Sequence, residues 1–169
     1  MKKIILFLGS SFLSYALSVG EIPSNIVIDK VNGGTSEGKA WHSSSLKGKV
    51  HTLIYMDPDK RDDSKLLLDA LAKLNYSEAV YSTVAIVNLA ATWMPNAILQ
   101  SKLKSKQKEL KNMEYIFDKT KFLVKKWQLK DDASNVFVLT KQSKVIYAKS
   151  GKLNSKDVIH ILDKINEAK

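Results

Sequence analysis

Leu46-Lys47-Gly48-Lys49-Val50-His51-Thr52-Leu53-Ile54-Tyr55-Met56, closed by Asp57-Pro58-Asp59, is the stretch on which the fold turns. Ser45 to Lys49 reads as a turn. The run Val50–Met56 is then apolar on both faces, without the polar alternation of a half-exposed strand. A strand of that kind is covered on both sides, as the central strands of a helix-flanked sheet are. Asp57-Pro58-Asp59 breaks it.

Downstream, Asp62, Asp63 and Ser64 suit a helix start, where acidic and hydroxyl side chains meet free N–H groups. Leu67, Leu68, Leu71 and Leu74 recur at helical spacing, and Thr83–Val87 is a second buried strand. Pro95 fits a first helical turn. Ile98, Leu99, Leu103 and Leu110 give the next helix its stripe, with Lys102, Lys104, Lys106, Lys108 and Lys111 on the opposite face. Tyr115–Phe117 is a short strand ended by Asp118, and Phe122, Leu123 and Trp127 mark a short helix. Val136–Leu139 and Val145–Tyr147 form a hairpin across Lys141–Lys144. After Gly151, Asn154 or Ser155 caps a last helix carrying Val158, Ile159, Leu162 and Ile165. Upstream, Ile26–Ile28 with Val31 suggests a first strand ended by Gly33-Gly34, then a loop before Trp41. The order is β, then β-α-β-α-β-α-β-β-α. It predicts an α/β domain with a mainly parallel central sheet, a C-terminal antiparallel hairpin and helices on both faces.

The chain opens Met1-Lys2-Lys3, followed by an apolar run from Ile4 to Leu13 and small residues at Ala16 and Ser18. Basic head, apolar middle and small-residue exit are the parts of a secretory signal peptide, with a cut after Ser18 or after Gly20. The run is shorter than the ~20 residues that span a bilayer. Residues 1–18 are therefore expected to be a cleaved signal peptide and residues 19–169 a single domain, exported to the periplasm with no integral membrane segment. Loss of Lys2 and Lys3 leaves 25 basic against 17 acidic residues, a net charge of +8. Arg61 is the only arginine. Nucleic-acid readers favour the planar arginine fork, so basicity made of lysine points away from nucleic acid and towards a solvated or anion-attracted surface. The chain has no cysteine, although export delivers proteins where cysteine pairs are useful.

Leu46–Val50, Phe117-Asp118, Trp127–Leu129 and Asn135–Leu139 resemble the corresponding segments of exported, peroxiredoxin-related thioredoxin-like proteins. More closely, Ile86–Asn96, Lys125–Asp132 and Val145–Leu153 are similar to the YtfJ family of small exported proteins, over most of residues 22–167. The resemblance implies a thioredoxin-like fold, an envelope address and no established activity. It also implies that the redox cysteines would fall in Asp57–Ser64 and the fold's proline at Ser134 or Asn135. Those positions hold no thiol, and without a thiolate no mixed disulfide forms. Ala91-Thr92-Trp93-Met94-Pro95-Asn96-Ala97 looks like a redox motif with both cysteines replaced. It follows the wrong strand for that role.

The remaining candidates are polar. Asp57, Asp59, Asp62 and Asp63 could bind a divalent metal, but the spacing lacks the glycine and distal glutamate of a calcium loop, and Lys60 and Arg61 oppose a cation. Helix capping accounts for them better, and no metal or cofactor is expected. His51 could act as a general base in a hydrolase together with that acidic loop, the alternative to a non-catalytic protein. Of the three tryptophans, Trp93, in a polar-flanked loop, is the one candidate contact. The loops after the parallel strands are expected to gather at one edge and bring Asp57, Arg61, Trp93, Asn96, Ser134 and Asn135 together as a binding surface. The expected function is a non-redox binding or structural module of the envelope. Its partner would be another envelope protein or an anionic envelope component.

Overall fold

The structure is a computed structural model and describes residues 17–109 and 112–169, the side chains of residues 108 and 109 excepted. The signal-peptide reading of residues 1–16, and the stripe and face positions Leu110, Lys108 and Lys111, lie outside that description. Strand β4 (Val50–Met56) sits inside a six-stranded sheet with β5 (Tyr81–Asn88), β6 (Met113–Asp118), β7 (Asn135–Leu139), β8 (Val145–Ser150) and the edge strand β2 (Gly33–Thr35). The order is β2-β6-β5-β4-β7-β8. β4, β5 and β6 are parallel, whereas β7, β8 and β2 each join by an antiparallel ladder.

Helix α1 (Lys65–Leu71) links β4 to β5 and α2 (Asn96–Glu109) links β5 to β6. Both crossovers step the same way along the sheet, so right-handed connection puts both helices on one face. α3 (Phe122–Trp127) carries the chain back past β4 to β7, and it lies on the other face. α4 (Ser155–Ala168) returns to the α1 face, where Leu67, Leu71, Val158, Ile161 and Ile165 pack on Val50, Ile54 and Val136. On the opposite face Leu123 and Trp127 cover Leu53, Tyr55, Ile86 and Ile116. Each fully buried leucine or isoleucine contributes about 1.5–3 kcal/mol by leaving water.

Three readings change. Val31 is exposed in a 3-10 turn, and Gly33-Gly34, expected to end a strand, are themselves strand β2 beside β6. A Cβ on Gly33 would collide with the Phe117 carbonyl, and its φ is 129°, so only glycine brings β2 that close. Val27–Ile28 (β1) pairs instead with Trp41–His42 (β3), a small separate sheet whose Trp41 is buried. In α4 the buried position is Ile161, and Ile159 faces solvent. α1 ends at Leu71, short of Leu74.

Candidate functional site

β4, β5 and β6 are parallel and end at one edge of the sheet, from which α3 carries the chain back past β4 to β7 on its other side. Open α/β sheets place their ligand crevices at such an edge. The Asp57–Asp63 loop follows β4 directly. Asp57 is almost fully buried, and its carboxylate accepts from the Asp59 N–H at 2.8 Å. Burial pushes the Asp57 carboxyl above its ordinary value. The next loop is tied to this one by the Thr92 hydroxyl, which donates to Asp59 at 2.7 Å. At the mouth of β6, Asp118 is buried, and Lys121 pairs with Asp131 at 2.7 Å.

Of the six residues expected to converge, Arg61, Trp93 and Asn96 are exposed on the first two loops and the start of α2. Trp93, at 87% exposure, is the most exposed large apolar side chain described. Asn135 lies inside, and its amide is spent: Nδ2 donates to the Lys130 and Ala133 carbonyls, and Oδ1 accepts from Lys130 N–H and Ser150 Oγ. Ser134 is wholly buried, and its Oγ has no hydrogen-bond partner. The Asn135 amide stabilises the loop before β7, and both side chains are buried away from solvent. The capping expected of this loop is met in part: Asp57 caps the turn Pro58–Asp63 through the Asp59 N–H, whereas Ser64 precedes α1 without a capping bond and Asp63 ties that turn to Leu153 N–H by its carbonyl.

The pairing of His51 with the acidic loop does not hold. His51 is the second residue of β4 and Asp57 follows its end, which at ~3.3 Å per residue sets them about 20 Å apart. His51 is buried, and its Nδ1 lies 3.1 Å from the Lys49 carbonyl, with which it can hydrogen-bond as donor. Burial, with Lys49 beside it, lowers its pKa to about 4, so the ring stays neutral. No three histidine, aspartate or glutamate side chains converge as metal ligands among the described residues.

A groove that the sequence reading missed opens beside this edge, between α1 and α2, with a volume of about 480 Å³. Its floor includes Met56, Leu68, Val87, Leu99, Leu103 and Tyr115. Arg61, Lys65, Lys102 and Lys106 stand around it, and Thr92 and Met94, the neighbours of Trp93, line one end. Lys102 and Lys106 were expected on the face opposite the apolar stripe. They instead follow Leu99 and Leu103 by three residues and so border the groove. That spacing was the signal available in the sequence. No helix among the described residues is long and apolar enough to cross a membrane.

Known proteins bear on the fold and the family. The exposed lipoprotein thioredoxin of Streptococcus pneumoniae superposes with a TM-score of 0.59 at 18% identity, covering 85% of this chain and 99% of that one. A peroxiredoxin-like protein from Aquifex aeolicus gives 0.62 at 15% identity, with 92% and 90% covered. These likenesses establish a thioredoxin-like fold, here without cysteine and therefore without thiol–disulfide exchange. The uncharacterized protein YtfJ of Escherichia coli K12 is 29% identical over 129 residues, 74% of this chain and 70% of its own. The family model described as bacterial protein of unknown function (YtfJ_HI0045) matches residues 24–168. The chain belongs to the YtfJ family.

Proposed function

We propose that this protein is a non-redox binding module of the bacterial envelope, exported to the periplasm by its N-terminal segment, and that it binds through the groove between α1 and α2. The observation that carries the reading is the groove itself: an apolar floor open to solvent, bordered by four basic and three acidic side chains, next to the loop that exposes Trp93. Arg61, Trp93 and Asn96 are the contact residues, and the partner is an envelope protein or an anionic envelope component. No step of this reading needs a cofactor.

A photoreactive residue at position 93 in the intact envelope tests it, with one at Val80, exposed just before β5 and so at the opposite edge of the sheet, as control. A discrete adduct from position 93 alone supports the groove. Equal labelling from both positions, or none from either, would overturn it. With the photoreactive residue moved to Met94, which lines the groove, Trp93→Ala and Asn96→Ala weaken capture while lowering stability by no more than ~1 kcal/mol, as exposed positions do.

A further inference from the structure

We infer that the groove takes a single-chain anionic amphiphile, an acyl chain ending in a carboxylate or a phosphate. The inference rests on the groove being the binding surface and names what fills it. β4, β5 and β6, whose ends form the floor, are each hydrogen-bonded on both sides. No strand edge is left there for an extended peptide to extend the sheet, so a ligand binds by burying apolar surface and meeting side chains. The volume of about 480 Å³ lies in the range of small-molecule sites. Leu68, Leu99, Leu103 and Met56 supply aliphatic and thioether surface suited to a flexible hydrocarbon, and the half-buried state of all four leaves it accessible.

The charge of the rim fixes the head group. Two of its three acids are ion-paired, Asp62 with Arg61 at 3.9 Å and Asp69 with Lys65 at 2.6 Å, while Asp59 accepts from the neutral Thr92 hydroxyl and keeps its charge. Lys102 and Lys106, one helical turn apart on the α2 wall, add two exposed ammonium groups, and no ion pair within 4 Å engages either among the described residues. The excess is positive and sits beside the apolar floor. A chain lying along Leu99 and Leu103 would therefore present its terminus to Lys102 and Lys106. Ammonium groups hold carboxylate and phosphate alike as point charges.

Isothermal titration of the purified chain with octanoate, dodecanoate, dodecyl phosphate and dodecyl maltoside, below their micelle concentrations, tests this. Dodecanoate and dodecyl phosphate are expected to bind one per chain, and the neutral maltoside at least tenfold more weakly. Dodecanoate should exceed octanoate by at least fivefold. The double variant Lys102→Glu/Lys106→Glu, both positions exposed, loses tenfold or more for the anions and keeps its melting temperature. A preference for one anion over the other assigns the head group and supports the inference either way. Saturable binding of no amphiphile, equal binding of the maltoside, indifference to charge reversal, or a melting temperature lowered by the ligand would each overturn it. Failure here with a clean adduct from position 93 removes the amphiphile and leaves the groove as a partner surface.

Discussion

Asp118 accepts four hydrogen bonds at once. Its Oδ1 takes the N–H groups of Thr120 and Phe122, and its Oδ2 takes the Leu123 N–H and the Tyr55 hydroxyl. In the sequence it read only as the end of a strand, because a side chain that caps a helix four residues away leaves no spacing signal of its own. Asp118→Ala strands buried donors, each worth ~1–3 kcal/mol, and is expected to lower unfolding free energy by about 3 kcal/mol in urea titrations. His51 makes a second prediction at this scale. The unfolded ring takes its proton near 6.5, but the folded one does so only near 4. The unfolded chain therefore binds more protons between those values, and stability falls as pH drops through that window, by at most about 3 kcal/mol. Asp57, raised by burial, pulls the other way. The difference between wild type and His51→Gln isolates the histidine: the urea midpoint of the variant should change less between pH 7 and pH 4. Parallel curves would mean that the ring is hydrated in the folded protein.

α3 is only six residues long, and a left-handed residue flanks it on each side, Lys121 at φ 54° and Gln128 at φ 48°. A left-handed backbone costs a non-glycine residue ~1–2 kcal/mol, and glycine is the usual occupant after a helix. Gln128→Gly is therefore expected to raise the melting temperature, by roughly 0.5–1 kcal/mol of stability once glycine's freedom in the unfolded chain is deducted. A lower melting temperature would show that Gln128 contributes packing instead. At the other end of the chain, Asn154 and Asp157 close a reciprocal cap on α4. Asn154→Ala should cost about 1 kcal/mol by the same measurement. The start of α4 was legible from Asn154 and Ser155 because capping is local chemistry. The start of the sheet was not. β1 and β3 have two residues each, and β2 runs through paired glycines that local rules assign to a turn; what makes it a strand is the backbone of β6, more than eighty residues away.

Across the whole molecule, the order from β4 to α4 was readable because each element buries an apolar face of the right period. The groove was not readable, because its walls come from two helices that the sequence treats separately. Arg61, Trp93 and Asn96 were legible as exposed loop and helix-start residues. For Ser134 and Asn135, burial and hydrogen bonding within the loop before β7 could not be read from residue type. The first described residues also hold the fold: Gly20 N–H donates to the Val145 carbonyl and Val145 N–H to the Glu21 carbonyl, both at 2.8 Å. A chain beginning at Val19 should therefore be more stable than one beginning at Glu21, by roughly 0.5–1.5 kcal/mol for the bond at Gly20. Equal melting temperatures would mean that the bond adds nothing net. The neighbours of β4 have a further consequence. Its ladder with β7 joins His51 to Leu139, residues separated by 88 positions. Until that last partner is synthesised, the central strand lacks one side, and no smaller closed core can form around it. Pairing over such distances is slow, since the loop must close before any contact rewards it. A growing chain of this kind is expected to close its core only after β7 has left the ribosome, and until then it is in the state in which a polypeptide can be threaded through a narrow pore.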